Sequence, residues 1–242
     1  MNASTRVGAF FDLDGTLLAE PSLEWRFIGY LLERDEITTA NVLRWLGRSA
    51  VTLARGPRAA FEANKLYLAG IRESLAEDWQ RSGALESIPL FLGGVERIAW
   101  HASRGQRIFS VSGTLAPLAR GVASALNSNI EAVATELDTW EGYWTGALAD
   151  EHVSGNVKAR AVRQLAARHN LRLDESYAYG NRVSDLAMLE CVAHPTAVNP
   201  SARLSRIARL RGWPILEWKA LRPAPRQTCG QSAPWFAPKV AR

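Results

Sequence analysis

The sequence is poor in cysteine and histidine and has no long apolar run, and each shortage excludes a class of protein. Its only cysteines are Cys191 and Cys229, too few for a disulfide-rich scaffold, and we expect free thiols. The four histidines lack the spacing of a zinc site and are expected to be structural or exposed. No apolar run approaches the ~20 residues of a membrane-spanning helix, and no signal-peptide pattern is present. We therefore expect a cytoplasmic protein without a transmembrane segment.

Basic residues are in excess but are not concentrated in one place. The formal net charge is +5 and the sequence pI is about 9.5, yet no run of five basic residues occurs. Dispersed arginines are typical of solvated helix faces, so no nucleic-acid partner is expected. A mildly positive field instead favours anionic small molecules.

Short apolar segments alternate with helical patterns through most of the chain, which predicts an α/β fold with a doubly wound, mostly parallel sheet. Six strands are predicted, at residues 7–11, 107–111, 130–135, 176–179, 196–198 and 213–218. After the third strand, the aromatic and glycine-bearing stretch 136–148 predicts a β-hairpin. Helices are expected between the strands, among them one over 156–169 and one that Ser201 caps.

One connection in this alternating pattern is too long for an ordinary loop. Residues 20 to about 92 contain no convincing strand but carry apolar residues at helical spacing, with helices predicted over 57–79 and, more weakly, over 82–92. We therefore expect a helical cap domain at 19–92, inserted into a core formed by 1–18 and 93–218. Prolines and basic residues dominate 219–242, which is predicted to be a flexible basic tail.

Two carboxylates stand where the first predicted strand ends, in Asp12-Leu13-Asp14-Gly15-Thr16. Such a pair can act as a nucleophile and a proton carrier if the two environments separate their pKa values. The same stretch is also compatible with a polar turn, because Asp-Gly is a common turn dipeptide. Residues later in the chain bear on the choice between these interpretations.

Further polar residues follow other predicted strands or begin helices: Ser112-Gly113, Lys158, Asn181 and Asp185. The loops after parallel strands meet at one edge of a sheet, so we expect these residues to converge with the two aspartates. A carboxylate nucleophile, an acid–base group, a cation and oxygen ligands for Mg²⁺ together suit phosphoryl transfer. Taken singly, Ser112 is also explained as a helix cap, Lys158 as a surface lysine and Asp185 as an acid in a first helical turn.

The order of four motifs resembles that of the haloacid dehalogenase (HAD) superfamily. The motifs are Asp12-Leu13-Asp14-Gly15-Thr16, Val111-Ser112-Gly113-Thr114, Gly155-Asn156-Val157-Lys158 and Tyr179-Gly180-Asn181-Arg182-Val183-Ser184-Asp185-Leu186. The helical insert after the first motif resembles the C1 cap of the phosphoserine-phosphatase-like branch, subfamily IB. The resemblance covers residues 7–218 and implies a Rossmann-like α/β core with an inserted all-helical cap.

The resemblance implies a role for each matching residue. Asp12 would be the nucleophile and a Mg²⁺ ligand. Asp14 would be the general acid and base, and it would also bind the metal through its main-chain carbonyl. Ser112 and Gly113 would hold the phosphate, and Lys158 would bridge the phosphate and the nucleophile.

The last motif departs from the family pattern. Asn181 stands where the family usually has a metal-binding aspartate, and an amide oxygen can ligate Mg²⁺ but brings no negative charge. Asp185 is the second expected metal ligand of this motif. We therefore expect either that the metal binds more weakly or that Asp185 contributes more to metal binding.

Substrate contacts from the cap are less defined. In phosphoserine phosphatases a glutamate soon after the first motif reads the substrate amine, and Glu20 lies one residue before that position. Arg55 and Arg58 are candidates for binding a substrate carboxylate, or they are ordinary surface charges. Cap aromatics at helical spacing are expected in its core, or alternatively in an apolar pocket or membrane-facing surface. They are Trp25, Tyr30, Trp45, Tyr67 and Trp79.

The leading functional prediction is a Mg²⁺-dependent phosphatase that hydrolyses a phosphomonoester of a small metabolite through an aspartyl-phosphate. Phosphoserine is one candidate substrate among several. One alternative is a phosphatase for a lipid-linked phosphate. Another is a non-catalytic phosphate-binding protein in which Asn181 marks a decayed metal site. No feature of the sequence indicates an oligomeric state.

Overall fold

The core of the protein is a parallel sheet between layers of helices. A computed structural model describes residues 6–52, 64–127 and 129–221. The strands are β1 (Gly8–Phe11), β2 (Arg107–Leu115), β3 (Glu131–Thr135), β4 (Leu137–Trp140), β5 (Tyr143–Leu148), β6 (Tyr177–Gly180), β7 (His194–Val198) and β8 (Ile215–Leu216). Six of them form one sheet in the order β3-β2-β1-β6-β7-β8, and every pairing in it is parallel. The predicted α/β class and mostly parallel sheet are confirmed.

Strands β4 and β5 pair antiparallel apart from the main sheet, which confirms the predicted hairpin. The helices are α1 (Leu23–Leu32), α2 (Thr39–Thr52), α3 (Ser74–Arg81), α4 (Leu92–Ser103), α5 (Ala116–Leu126), α6 (Asn156–His169), α7 (Leu186–Leu189) and α8 (Ala202–Leu210). Helix α8 begins as predicted, because the Ser201 side chain accepts a hydrogen bond from the main-chain N–H of Leu204.

Successive side chains of β1 point to opposite faces of the sheet and enter two different cores. Phe10 stacks on Phe109, with ring centroids 5.1 Å apart, in the core covered by α6, α7 and α8. Phe11 stacks on Tyr179 at 4.5 Å, in the core shared by α4, α5 and the long helical connection. Strand β1 is therefore buried on both faces, and its carboxyl end is held between β2 and β6.

The helical connection differs from its prediction in two places. The predicted helix over 57–79 is wrong in its described part, where a 3₁₀ turn at Leu66–Leu68 is followed by a new helix, α3. Gly70 lies between them with φ +81°, a left-handed conformation that interrupts a right-handed helix. The predicted helix over 82–92 is also wrong, because only a 3₁₀ turn forms there, at Ala84–Ser87.

The two ends of the helical connection pair with each other. The main-chain N–H of Ala19 donates to the carbonyl of Pro89 at 2.9 Å, and the N–H of Leu221 donates to the carbonyl of Leu90 at 2.7 Å. Main-chain pairing thus continues to Leu221, two residues beyond the predicted start of the tail at residue 219. The remaining tail, 222–242, lies outside the described residues.

Two expectations drawn from the composition can be compared with the structure. Cys191 is a free cysteine, as predicted, whereas Cys229 lies outside the described residues. Across the described ranges, no helix is both long enough and apolar enough to cross a bilayer. The expected cytoplasmic location stays a prediction.

His101 is a buried structural histidine and should make folding sensitive to acid. Its Nε2 lies 2.9 Å from the Tyr179 hydroxyl, and burial, with help from nearby Arg97 and Arg104, lowers the pKa of His101 to about 4. The unfolded chain takes up a proton near pH 6.5 and the folded chain does not, so stability falls as the pH drops from about 6.5 to about 4. The loss should approach roughly 3 kcal/mol.

Urea unfolding at pH 7.5 and pH 4.5 measures this effect. The His101→Gln variant should lose about 2–3 kcal/mol less than the wild type between the two pH values, since it has no ring to protonate. His194→Gln, which changes an exposed histidine, should lose as much as the wild type. Equal acid losses in all three proteins would show that His101 is not the responsible group.

Candidate active site

Four loops meet at the carboxyl edge of the sheet. Asp12 follows β1, Ser112 and Gly113 lie in the last part of β2, and Asn181 follows β6. Because β2 and β6 are the two neighbours of β1, these positions adjoin, and the first turn of α6 brings Lys158 to them. All of these residues line one cavity of about 340 Å³, so they converge as predicted.

Lys158 holds two aspartates together at the floor of this cavity. Its Nζ donates to Asp12 Oδ1 at 2.6 Å and to Asp185 Oδ1 at 2.7 Å. All three side chains are buried, with exposed fractions of 6% for Asp12, 2% for Lys158 and 1% for Asp185. The other oxygen of Asp12 accepts a hydrogen bond from the Thr16 hydroxyl at 3.1 Å. Buried charges this close need a partner of opposite sign, so the three residues form one electrostatic unit.

Burial dominates the ionisation of this unit. Burial, followed by the Asp185 carboxylate, raises the pKa of Asp12 and Lys158 opposes both effects, so that the resulting pKa is about 6. Burial by itself would lower the pKa of Lys158, but the two carboxylates together raise it above its ordinary value. Lys158 therefore stays charged at neutral pH.

Asp14 lies two residues after Asp12 in the chain and has a different environment. Its Oδ1 accepts a hydrogen bond from the main-chain N–H of Leu23 at 2.7 Å, at the start of α1. Burial is the largest cause that raises the pKa of Asp14; the Leu23 N–H opposes it, the charges of Asp12 and Glu24 add to it, and the resulting pKa is about 7. A carboxyl group with a pKa near neutrality can both give and take a proton, which is what a general acid and base requires.

The end of β2 at Ser112 and Gly113 is closely packed. Ser112 is buried, and its hydroxyl accepts a hydrogen bond from the main-chain N–H of Thr114 at 3.3 Å. A Cβ at Gly113 would lie 2.8 Å from Cε1 of His152, so a larger residue here would require the His152 ring to shift. His152, expected to be structural or exposed, instead borders the cavity beside these residues.

The oxygen atoms near Asn181 fit a hard cation. Asn181 is 7% exposed, and among the described residues its Oδ1 is a buried oxygen that accepts no hydrogen bond. No group of three His, Cys, Asp or Glu side chains within the described ranges is arranged to hold a metal. The ligands that the family resemblance implies are instead mixed oxygens, namely the Asp12 carboxylate, the Asp14 main-chain carbonyl and the Asn181 amide, and all three residues line the cavity. Carboxylate, carbonyl and amide oxygens are the ligand types that Mg²⁺ accepts.

Asp185 is predicted to be a metal ligand, but in the structure its carboxylate oxygens contact protein donors. Its Oδ1 is bound to Lys158, and its Oδ2 accepts from the main-chain N–H groups of Asn181 and Arg182 at 3.0 and 2.9 Å. Both oxygens are thus engaged. In this arrangement Asp185 orients Lys158 and shapes the loop that carries Asn181.

The three predicted substrate residues are not brought together in the described part of the chain. Glu20 lines the cavity, but its carboxylate forms an ion pair with Arg182, and both side chains are about half exposed. Arg55 and Arg58 lie outside the described residues.

A buried acid that sequence reasoning missed also lines the cavity. Glu24 is 6% exposed, and its Oε1 accepts hydrogen bonds from Lys65 Nζ at 2.5 Å and from the Tyr67 hydroxyl. The available signal was its position in the predicted helix, on the same face as Phe27 and Leu31. A charged residue on an apolar helix face is rare unless it is paired.

The aromatic residues of the helical connection differ in their burial. Tyr67 and Trp79 are buried, as expected for core residues. Trp25 is 55% exposed and borders the cavity, so the core prediction is wrong for this residue.

The protein thus combines an α/β fold with a candidate active site at the carboxyl edge of a parallel sheet. A family model described as haloacid dehalogenase-like hydrolase matches residues 9–190. The chain belongs to this family and is a hydrolase, as the four motifs predicted.

Comparison with individual proteins agrees with this assignment. The chain is 33% identical over 230 residues to phosphoserine phosphatase SerB1 of Mycobacterium tuberculosis, covering 90% of this chain and 73% of that protein. It resembles a crystal structure of a protein of unknown function from Bordetella pertussis, with 27% identity, a TM-score of 0.72 and coverage of 88% and 98%. A structure described as a phospho-aspartyl intermediate analogue of phosphoserine phosphatase has a TM-score of 0.60 at 18% identity, with coverage of 88% and 93%. At that identity the likeness concerns the fold alone.

Proposed function

We propose that the protein is a Mg²⁺-dependent phosphatase that hydrolyses a phosphomonoester of a small metabolite through an aspartyl-phosphate on Asp12. The observation that carries the proposal is the buried Asp12–Lys158–Asp185 unit beside Asp14, whose pKa is raised to about 7. The relative named phosphoserine phosphatase supports the choice of reaction.

Two displacements at phosphorus account for the reaction. In the first, a carboxylate oxygen of Asp12 bonds to phosphorus while the bond to the leaving oxygen breaks, and Asp14 gives that oxygen its proton. In the second, Asp14 takes a proton from water, the water oxygen bonds to phosphorus, and the carboxylate of Asp12 is released. Asp14 ends each cycle in its starting state.

The phosphoryl group needs positioning and charge neutralisation more than further bond chemistry. Lys158 supplies a fixed positive charge that contacts the nucleophile. The Ser112 hydroxyl and the main-chain N–H groups around Gly113 supply neutral hydrogen bonds. Asp185 holds Lys158 in place through their 2.7 Å contact.

Mg²⁺ would be held by the Asp12 carboxylate, the Asp14 main-chain carbonyl and the Asn181 amide oxygen, with Asp185 positioning the loop behind them. When bound, it supplies positive charge to the phosphoryl oxygens. Residues 19–92 would act as the cap over this site, and 1–18 with 93–218 as its core. Glu20, Arg55 and Arg58 stay candidates for substrate contacts.

Metal dependence is tested with a generic aryl phosphate. The wild type should release phosphate with Mg²⁺ and lose this activity in EDTA. Asn181→Asp adds a negative ligand, so the Mg²⁺ concentration for half-maximal activity should fall roughly tenfold. The matched control Asn170→Asp changes an exposed helix-end asparagine and should leave that concentration unchanged.

Full activity in EDTA would exclude the metal. Tight binding of inorganic phosphate without turnover of any phosphate ester would instead favour a non-catalytic phosphate-binding protein.

A further inference from the structure

The helical connection places a neutralised acid beside the proton carrier. Glu24 directly follows Leu23, whose N–H holds Asp14, and Glu24 lines the same cavity as Asp14. In the proposed reaction Asp14 protonates the leaving oxygen, so the leaving group lies on this side of the cavity. Glu24 is therefore positioned to contact the leaving group, an inference that rests on the proposed function.

Glu24 has one oxygen engaged and one open. Lys65 and Tyr67 both donate to Oε1, and the three side chains are between 1% and 6% exposed. Burial and the neighbouring Glu24 keep the pKa of Tyr67 well above its ordinary value, so Tyr67 remains a neutral donor. Among the described residues, no donor binds Oε2 of Glu24.

The second acid that the connection brings to the cavity is also neutralised. Glu20 forms an ion pair with Arg182, so both acids on this side have a basic partner within the protein. An ammonium group on the leaving group would lie beside the Glu24 carboxylate, which is already paired with Lys65. A carboxylate on the leaving group would lie beside the pairs Glu24–Lys65 and Glu20–Arg182, in which each cation already has an acidic partner. Among the described residues that line this side of the cavity, neither charge gains a free counter-charge for the loss of its hydration.

We propose that Glu24, held by Lys65 and Tyr67, forms a leaving-group subsite that selects a neutral, hydroxyl-bearing alcohol. A hydroxyl can donate to Oε2 of Glu24 in a charge-assisted hydrogen bond and brings no charge that must be desolvated. The preferred substrate class is therefore the phosphate ester of a polyol, and α-amino-acid phosphates are disfavoured.

A series of small phosphate esters that differ in leaving-group charge tests the proposal. The probes are glycerol 3-phosphate (neutral), O-phosphoserine (zwitterionic), 3-phosphoglycerate (anionic) and O-phosphoethanolamine (cationic). For the wild type, kcat/KM should be at least about tenfold higher for glycerol 3-phosphate than for the other three, the size expected when a buried polar group is matched or left unmatched. Calorimetric binding to Asp12→Asn, with inorganic phosphate as reference, should give the same ranking without turnover.

Two charge-removing variants should shift the preference in opposite directions. Glu24→Gln leaves the charge of Lys65 uncompensated by Glu24 and should favour 3-phosphoglycerate. Lys65→Met removes the cation that is paired with Glu24 and should favour O-phosphoethanolamine, whose ammonium group can replace it. The control Glu33→Gln, at the end of the same helix, should keep the wild-type ranking.

A general loss of folding would not shift the substrate preference of the two variants in opposite directions. If a single variant does not fold, the double variant Glu24→Gln/Lys65→Met removes both charges together and should keep the neutral preference.

The proposal is overturned if the wild type prefers any of the three charged esters, if the two single variants shift in the same direction, or if no ester binds more tightly than inorganic phosphate. Failure to hydrolyse any ester, an aryl phosphate included, would refute the phosphatase function. The calorimetric ranking would still decide the proposal about Glu24.

Discussion

Asp12→Asn should reduce phosphate release from an aryl phosphate by at least about 10⁴-fold, the scale seen when a covalent nucleophile is removed. The amide nearly preserves the shape of the side chain, but its oxygen is a poor nucleophile. Its NH₂ group would also face Lys158, which now contacts Asp12 Oδ1 at 2.6 Å. Catalysis should therefore be lost with little change in the fold.

Two measurements separate this interpretation from a general loss of structure. Quenched wild-type enzyme, analysed as the intact protein by mass spectrometry, should carry one added phosphoryl group during turnover, and the variant should carry none. The matched control Asp174→Asn changes an exposed aspartate and should keep wild-type activity. Turnover by Asp12→Asn within about tenfold of the wild type would exclude Asp12 as the nucleophile.

Lys158→Met should affect both activity and stability. Activity should fall about 10³-fold, because a preorganised charge beside the nucleophile and the phosphate is removed. Folding stability at neutral pH should fall by about 3–5 kcal/mol, because Asp12 and Asp185 remain buried without their shared cation. Few single substitutions outside the hydrophobic core are expected to cost so much.

The stability loss of Lys158→Met should shrink in acid, and its sign follows from the pKa of Asp12. Burial and Asp185 raise that pKa, and Lys158 lowers it, so removing the lysine raises it further above its value of about 6 in the wild type. The variant then takes up a proton at higher pH than the unfolded chain does. Its deficit relative to the wild type should be largest near pH 7.5 and smaller near pH 5 in urea unfolding.

A second substitution checks the cause. Lys158→Met/Asp185→Asn removes one of the two stranded carboxylates and should recover a large part of the lost stability, but not the activity. Lys219→Met changes an exposed lysine and should leave stability and activity unchanged. A Lys158→Met protein as stable as the wild type at both pH values would contradict the view that Lys158 neutralises the buried pair.

Much of the fold could be predicted from local patterns. The hairpin over 136–148, the helix over 156–169 and the Ser201 cap each depend on residues close together in the chain, and all three are present. The predictions failed where two helical patterns adjoined without an obvious break, around Gly70 and Gly83. Both glycines have positive φ, and sequence periodicity does not show the backbone angle of a single residue.

The candidate site was predicted less completely, for a related reason. The positions of Asp12 and Asn181 follow from strand ends and that of Lys158 from a helix start, because a parallel sheet gathers these ends at one edge. The strand pattern does not show which oxygen of Asp185 contacts which donor, because these contacts depend on side-chain packing between distant segments. Glu24 was overlooked because its partners lie about forty residues away along the chain.

The sequence by itself determined the class of this protein: alternating strands and helices, a long helical insertion after the first strand, and four polar motifs in a fixed order. These features are local or ordered along the chain, so they can be read without coordinates. Only the tertiary structure decided that Lys158 binds both Asp12 and Asp185, and that Glu24 is neutralised inside the cavity. The physical reason is that pairing and burial of charge depend on distances between segments far apart in sequence, and those distances exist only in the folded protein.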